Sequence, residues 1–118
     1  MKKTKKMHTV LTDENFPQEV LEYPGVVLVE FVADWCGYCQ IMAPVVRRVV
    51  SDKQDRIKTG KLDVDENLQT AREYAIRTLP TIIFFQNGKI VDHVTGVVPE
   101  KVIAAKLEAI LKLKKLTH

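Results

Sequence analysis

Two cysteines set three residues apart are the part of this sequence best suited to chemistry. Cys36 and Cys39 are the only cysteines of the 118-residue chain, and they stand in the run Trp35-Cys36-Gly37-Tyr38-Cys39. If this run begins a helix, their Cα atoms lie one turn apart, about 5 Å, within the roughly 4.4 to 6.8 Å that a disulfide allows. So short a loop adds little stability, because it removes little entropy from the unfolded chain. We therefore interpret the pair as a reversibly oxidised dithiol.

The two thiols are predicted to have unequal roles. A Cys36 thiolate in the first turn of a helix faces unpaired backbone N–H groups and the positive end of the helix dipole, so its pKa should fall below the usual value of about 8.5. Gly37 leaves the Cys36 sulfur uncovered, and we expect Cys36 to be exposed and to attack a target disulfide. Cys39, one turn deeper, is expected to resolve the mixed disulfide that results.

Glu30 is the expected proton acceptor for Cys39. It is the one charged residue in the apolar run from Val26 to Val32. Burial of this carboxyl should raise its pKa toward neutrality, where it can accept a proton. The alternative is that Glu30 lies at a surface edge and has no such role.

The elements that must position these groups alternate between strands and helices. The run from Val26 to Val32 predicts a buried strand, and further strands are predicted over Ile57 to Val64, Thr81 to Phe85 and Ile90 to Thr95, the last two joined by Asn87-Gly88, a strong hairpin signal. Helices are predicted from Thr12 or Asp13 to about Glu22, Cys36 to about Lys53, Asn67 to about Tyr74, and Pro99 to about Leu113. This order predicts an α/β fold with a central mixed β-sheet of about five strands, flanked by about four helices on both faces.

Apolar residues at helical spacing are expected to face the core. In the first, second and last helical stretches they are, respectively, Phe16, Val20 and Leu21; Ile41, Val45, Val46, Val49 and Val50; and Val102, Ile103, Leu107, Ile110 and Leu111.

Composition restricts the class of protein. With 46% hydrophobic and 28% charged residues, the chain is typical of one domain over residues 1–118, with lysine-rich and flexible tails at 1–6 and 114–118. The net charge is +3, but seven of the 18 basic residues are lysines near the two ends. The body is slightly acidic, so we expect no nucleic-acid partner. Because no apolar run approaches the roughly 18 residues of a membrane span and no signal core follows the first lysines, we expect no membrane association and a cytoplasmic location.

Several separate segments together resemble the thioredoxin family, over about His8 to Leu111. They are the run from Leu28 to Cys39 followed by Ala43-Pro44, then Lys61-Leu62-Asp63-Val64-Asp65, Ile76-Arg77-Thr78-Leu79-Pro80-Thr81, Asn87-Gly88 and Gly96. The resemblance implies a thioredoxin fold and a monomeric protein disulfide reductase without a bound cofactor. It also implies electron transport in cell redox homeostasis, with electrons passing from NADPH through a flavin-dependent thioredoxin reductase to disulfide-containing target proteins.

The resemblance also implies roles for residues outside the pair of cysteines. Pro80 is expected to be a cis proline that faces the disulfide and positions the substrate, and Lys61 is expected to lie near Glu30 and to moderate its pKa. Aspartate is usual at the position of Glu30, and glutamate there is similar to the buried acid of protein disulfide isomerase domains. A substrate-binding surface is expected from Trp35, Gly37, Tyr38, Thr78, Leu79, Gly96 and Val97.

Tyr38 gives the main alternative. It replaces the proline usual between the cysteines of the family, and Gly37-Tyr38 is also similar to the pair in bacterial periplasmic disulfide isomerases. The alternative function is a disulfide oxidase or isomerase with a more oxidising potential.

A second alternative is a zinc site formed by both cysteines with two ligands from His8, His93 or His118. These histidines lack paired metal-ligand spacing, and we expect no metal. The last alternative is a binding subunit whose redox activity is incidental.

Overall fold

A computed structural model describes residues 8–116 of the chain, with side chains described as far as residue 112. Five strands form one sheet: β1 (Thr9–Leu11), β2 (Val26–Val32), β3 (Ile57–Asp63), β4 (Thr81–Gln86) and β5 (Lys89–Thr95). Their order across the sheet is β1-β3-β2-β4-β5. The predicted tail at 1–6 and the last two residues of the predicted tail at 114–118 lie outside the described residues, as does His118.

The sheet is mixed, as predicted. The central strand β2 runs parallel to β3 on one side and antiparallel to β4 on the other. Six of its seven residues are buried, because a strand between two neighbours is also covered on both faces by helices. In this register Glu30 stands opposite Lys61 of β3 and Ile82 of β4.

Four helical segments lie in the described part of the chain, in agreement with the predicted number. They are a short π-helix (Pro17–Leu21), α1 (Gly37–Val50), α2 (Leu68–Glu73) and α3 (Glu100–Leu116). The predicted start of α3 is confirmed, but the helix continues past Leu113. Residues 114–116, at the start of the predicted tail, are therefore helical, and neither glycine nor proline interrupts the chain after Pro99.

Alternate residues of β2 pack into two separate cores, one on each face of the sheet. Val26 and Leu28 contact a cluster that includes Met42 and Val46 of α1 and Ile103 and Leu107 of α3. Val27, Val29 and Phe31 belong to the opposite cluster, which includes Phe16 at the start of the π-helix and Val20 within it, with Tyr74 packed against it. Because Glu30 alternates with the second set, it lies on the face that α1 covers. This is the helix that carries both cysteines.

The first helical stretch differs from the prediction. A hydrogen-bonded turn precedes it, in which the Asn15 backbone N–H donates to Thr12 Oγ1 at 3.0 Å and the Thr12 backbone N–H donates to Asn15 Oδ1 at 2.7 Å. Leu21, predicted to face the core, is exposed. Its exposure follows from the π-helix, whose wider turn does not keep the 3.6-residue spacing that the prediction assumed.

The hairpin between β4 and β5 forms where Asn87-Gly88 predicts it. Both turn residues have positive φ, 51° at Asn87 and 82° at Gly88, as a two-residue turn between antiparallel strands requires. A Cβ at position 88 would collide with the backbone carbonyl oxygen of Leu21. The turn therefore depends on glycine both for its φ angle and for space.

Candidate active site

The active-site candidate begins where the chain leaves β2 and enters α1. Cys36 is the N-cap of α1, with extended backbone angles (φ −86°, ψ 107°), and Cys39 lies in the first helical turn. The Cys36 backbone N–H donates to the Ala33 carbonyl at 3.2 Å, which closes the turn after the strand. The sequence therefore places both cysteines at the positive end of a 14-residue helix.

Cys36 and Cys39 form a disulfide with a Cα–Cα distance of 5.3 Å. The Cys39 backbone N–H also donates to Cys36 Sγ, with a donor–acceptor distance of 3.1 Å. This N–H is one of the groups that a helix start leaves without an intrahelical partner. A sulfur anion at Cys36 would meet the same donor and the helix dipole, so this site favours the thiolate of Cys36.

Burial does not separate the two cysteines, contrary to the expectation that Cys36 is exposed. In the disulfide form Cys36 is 5% exposed and Cys39 is 6% exposed. The bridge holds both sulfurs against a small apolar cluster that includes Ala33, with Val64 and Leu79 packed on it. The two cysteines differ in their access to one surface groove, because Cys36 lines this groove and Cys39 does not.

This groove, which we call the Cys36 groove, has a volume of about 430 Å³. Its lining is mostly apolar and consists of Trp35, Cys36, Gly37, Tyr38, Ile41, Arg77 and Leu79. Trp35 is 71% exposed and Tyr38 is 63% exposed, so large aromatic surfaces are open to solvent at the rim of the groove. An apolar surface of this kind around a reactive sulfur is suited to binding another protein.

Trp35 is fixed by a residue for which the sequence predicts no role. Its indole Nε1 donates to Asp65 Oδ2 at 2.7 Å. The Asp65 backbone N–H in turn donates to Asp63 Oδ1 at 2.9 Å, so the acceptor belongs to an ordered turn after β3. An exposed indole with a fixed hydrogen bond keeps one orientation beside Cys36.

The Leu79–Pro80 peptide bond is cis, as predicted. The Gly96 backbone N–H donates to the Pro80 carbonyl at 2.8 Å, and Thr81 Oγ1 donates to the Thr78 carbonyl at 2.6 Å. These bonds hold the segment before β4 in place. Leu79 packs on the cysteine cluster and lines the Cys36 groove.

Glu30 is buried, so the alternative of a surface edge is wrong. It is 4% exposed, and loss of hydration raises the pKa of its carboxyl to about 7. The positive charges of Lys61 and Arg47 oppose this rise and keep the pKa lower than burial alone would make it. Lys61 is the neighbour that the family resemblance implies, and the register of β2 and β3 places it opposite Glu30. Arg47 of α1 was not foreseen.

Comparison with known proteins decides the family. A sequence model of the family described as Thioredoxin matches residues 7–109. The chain is 42% identical over 97 residues to Thioredoxin 2 of Chlorobaculum tepidum, which covers 82% of this chain and 89% of that protein. It is 44% identical over 98 residues to Thioredoxin 1 of a Nostoc species, and this match covers 83% of this chain and 92% of that protein. It is also 39% identical over 99 residues to the thioredoxin of Pseudomonas aeruginosa, and this match covers 84% of this chain and 92% of that protein. The chain belongs to the thioredoxin family.

Membership of the thioredoxin family and the Cys36–Cys39 disulfide together establish the type of chemistry. The chain is a dithiol–disulfide oxidoreductase of the thioredoxin type. A pair of cysteines at this distance exchanges two electrons by opening and closing one S–S bond. Thioredoxins need no bound cofactor for this exchange.

The expected substrate surface is brought together only in part. Trp35, Gly37, Tyr38 and Leu79 line the Cys36 groove, whereas Thr78, Gly96 and Val97 do not. Thr78 lines a second groove, Gly96 lies beside Pro80 through its hydrogen bond, and Val97 follows as an exposed residue.

Ile41 and Arg77 line the groove and were missed from the sequence. Ile41 was assigned to the core stripe of α1, but it is 55% exposed. Its position two residues after Cys39 places it on the same side of the helix start as Tyr38, three residues before it. Arg77 stands next to the predicted Thr78, but one charged residue in a loop carries no signal of its own.

The described residues contain no group of three or more histidine, cysteine or acidic side chains that could hold a metal ion. His93 is exposed on β5, and His8 precedes β1. Between residues 8 and 116, no helix is both long and apolar enough to cross a membrane.

Proposed function

We propose that this chain is a general reductant of protein disulfides in which Cys36 is the nucleophile and Cys39 the resolving cysteine. The observation that carries the proposal is the position of Cys36 Sγ. It accepts a hydrogen bond from the Cys39 backbone N–H at the start of α1, and Cys36 is a lining residue of the Cys36 groove, whereas Cys39 is not. A thiolate is therefore favoured at the sulfur that a target can approach.

The reaction proceeds in two exchanges. In the reduced protein, the Cys36 thiolate attacks one sulfur of a target disulfide, breaks that S–S bond and releases the second target sulfur as a thiolate, which takes a proton from water. Cys39 then loses its proton and attacks Cys36 Sγ, which breaks the mixed disulfide and releases the first target sulfur. Two electrons have passed to the target, and the protein holds the Cys36–Cys39 disulfide.

Glu30 is the proposed acceptor of the Cys39 proton. Its carboxyl is buried on the sheet face that α1 covers, and its pKa of about 7 allows it to exchange a proton at neutral pH. Lys61, opposite Glu30 in the sheet, favours the carboxylate form and so keeps the acceptor partly ionised. This is the modulating role proposed for Lys61.

The segment around Pro80 is the proposed site for the backbone of the target. Leu79 lines the groove, and the hydrogen bond from Gly96 fixes the Pro80 carbonyl. An extended target segment can pair briefly with this backbone while its side chains contact Trp35, Gly37 and Tyr38. Thr78, Gly96 and Val97 extend the proposed contact beyond the groove itself.

The proposed electron source is NADPH, through a thioredoxin reductase that reduces the Cys36–Cys39 disulfide after each turnover. The proposed setting is the cytoplasm, with the chain acting as a monomer on disulfide-containing target proteins and so contributing to electron transport. Support comes from the thioredoxins of Chlorobaculum tepidum, a Nostoc species and Pseudomonas aeruginosa, at 39% to 44% identity.

The test is reduction of insulin, coupled to NADPH and a bacterial thioredoxin reductase. We expect NADPH oxidation that depends on the chain and is lost in both Cys36→Ser and Cys39→Ser. Only Cys39→Ser should accumulate a mixed disulfide with insulin, because it keeps the attacking thiol and lacks the resolving one. Accumulation with Cys36→Ser instead would reverse the proposed roles, and no NADPH oxidation would remove the reductase as partner.

A second candidate function, disulfide oxidation or isomerisation, is favoured by Tyr38. This residue is the second of α1 and is 63% exposed. A proline there would restrain the first turn, and tyrosine leaves more freedom to the reduced form, which makes the couple more oxidising. Equilibration with glutathione should give a higher potential than that of a Tyr38→Pro variant. Equal potentials would remove this argument for the second function.

A further inference from the structure

Arg77 is the one charged side chain that lines the Cys36 groove in the described part of the chain. It is exposed and stands two residues before Leu79, which also lines the groove. The other lining residues are apolar, aromatic or glycine, apart from Cys36 itself. A target whose cysteine reaches Cys36 must therefore lie beside a single guanidinium group.

Arg77 also lines a second groove, which we call the β5 groove, with a volume of about 320 Å³. This groove lies between the segment after α2 and the sheet, and its lining includes Tyr74, Ile83, Ile90 and His93. Because the two grooves share Arg77, the arginine stands where one meets the other. A segment that extends from Cys36 toward β5 passes this residue.

The charges around the two grooves favour an acidic ligand. No aspartate or glutamate is among the described residues that line either one, and the guanidinium of Arg77 is common to both. Asp65, the acidic residue bonded to Trp35, is not part of the lining. A carboxylate beside Arg77 would thus gain a bidentate partner without meeting a negative charge in the grooves.

We propose that Arg77 is a specificity-determining residue that selects target disulfides with an acidic side chain next to the attacked cysteine. This inference rests on the proposed function, because it requires the Cys36 groove to be the target site. The occupant is an extended segment of a target protein that carries its cysteine into the Cys36 groove and its carboxylate to Arg77. A basic residue in the same place meets a like charge at Arg77 and is disfavoured.

The test uses three short peptides that are identical except for the residue before their single cysteine, which is Glu, Gln or Lys. Each cysteine is joined in a disulfide to a chromogenic aryl thiol. The pre-reduced protein converts each to peptide thiol and aryl thiol and becomes the Cys36–Cys39 disulfide, so neither NADPH nor a reductase is needed. Rates are divided by those with dithiothreitol, which removes the intrinsic effect of the neighbouring charge on each disulfide.

We expect the corrected second-order rate for the Glu peptide to exceed that for the Lys peptide about fivefold at low salt, and less at about 0.5 M salt, because an exposed ion pair is weak and screened. In Arg77→Gln this preference should fall to about onefold, and in Arg77→Glu it should invert. The matched control is Arg72→Gln, which removes another exposed arginine, in α2, that lines neither groove. It should keep the fivefold preference.

Two results would overturn the inference in different ways. In the first, the Gln peptide is reduced, but the ratio of the Glu-peptide rate to the Lys-peptide rate is the same in the unmodified chain and in Arg77→Gln. Arg77 then does not select targets, and the proposed function stands. If the reduced chain releases aryl thiol from none of the peptides faster than Cys36→Ser does, both the proposed function and this inference fail.

Discussion

The indole nitrogen of Trp35 and the carboxylate of Asp65 are joined by a 2.7 Å hydrogen bond across 30 residues of sequence. The bond ties the residue before Cys36 to the turn that follows β3. Since Trp35 is 71% exposed, little packing from this chain holds its ring in place. We infer that Asp65 sets the orientation in which Trp35 meets a target.

Replacing Asp65 by alanine should therefore loosen Trp35 without unfolding the chain. We expect kcat/KM for insulin to fall about fivefold, since a hydrogen bond to an exposed charged group contributes about 1 kcal/mol. Trp35 is the single tryptophan of the protein, so its fluorescence anisotropy reports the loosening directly. Asp55→Ala, at another exposed aspartate, is the control. Unchanged anisotropy in Asp65→Ala would show that packing, and not this bond, fixes the ring.

Ile41 should contribute to target binding and not to stability. It is 55% exposed and lines the Cys36 groove. We expect Ile41→Ser to raise the KM for insulin about threefold to fivefold, because about 1 kcal/mol of apolar contact is lost, and to leave the midpoint of urea unfolding unchanged. Leu68→Ser, at a similarly exposed residue of α2 outside the groove, is the matched control. A large loss of stability in Ile41→Ser would instead return this residue to the core, as its sequence spacing predicts.

Burial of Glu30 should make stability depend on pH. Its pKa is raised from 4.5 to about 7, so the folded protein binds a proton that the unfolded chain has already lost over this interval. The contribution of Glu30 to the free energy of unfolding is therefore greatest below about pH 4.5. This contribution declines by about 3 kcal/mol as the pH rises to 7. Urea unfolding of the disulfide form at pH 5 and pH 8 measures the decline, which Glu30→Gln should largely abolish. If the free energy of unfolding declines equally in Glu30→Gln, the pH dependence arises from other groups.

The same carboxyl should affect the second exchange of the reaction. The acceptor form of Glu30 is the carboxylate, whose fraction rises as the pH passes through about 7. We expect Glu30→Gln to slow insulin reduction about tenfold or more, a modest effect for the loss of a general base. The variant should also flatten the rise in rate between pH 6 and 8. Stopped-flow decay of a pre-formed mixed disulfide isolates the step. Rates that match those of the unmodified chain across this range would remove Glu30 from the mechanism.

Asp13 should stabilise α2 from a distance of more than 50 residues in sequence. Its Oδ1 accepts from the Thr70 backbone N–H at 2.8 Å and from Thr70 Oγ1 at 2.6 Å, and its Oδ2 accepts from the Gln69 N–H at 3.3 Å. The bond from the Thr70 side chain is the main cause that lowers the pKa of Asp13. The stabilisation is thus present above the ordinary aspartate pKa and is lost as the pH falls through the lowered value.

Asp13→Ala should lower the melting temperature at pH 7, and the difference from the unmodified chain should shrink toward pH 3. Thermal unfolding followed by circular dichroism measures both effects. Glu14→Ala, at the next residue, should change neither. A difference that persists at low pH would assign the loss to packing and not to the charged cap.

The capping of α2 illustrates the limit of sequence reasoning. Asn67 stands at the N-cap position that the sequence predicts, yet its side chain makes no capping hydrogen bond there. It accepts from the Asp13 backbone N–H at 2.9 Å and donates to the Asp63 carbonyl at 3.0 Å. Asp13, one of the two residues at which the first helix was predicted to begin, caps α2 instead. Helix-start residues are visible in a sequence, but which side chain accepts the hydrogen bonds of a helix start depends on which segments fold together.

The sequence by itself determined the chemistry and the elements that carry it. Two cysteines three apart after a buried strand, an Asn-Gly turn, and a proline before a strand each act through local geometry, and the resemblance to the thioredoxin family required only their order. Strand β1 escaped assignment because three residues are too few for a pattern. Likewise, the pairing of Glu30 with Lys61 required the resemblance, since the spacing of residues does not fix a register.

Tertiary structure alone decided which surfaces meet at the sulfur. Arg77 and Asp65 are far from Trp35 and Cys36 in the chain, so their approach to these residues follows only from tertiary packing. Burial of both cysteines is decided in the same way, because exposure depends on what covers a residue and not on its neighbours in sequence. The cysteines specify the reaction, and the fold around them specifies how a target reaches it.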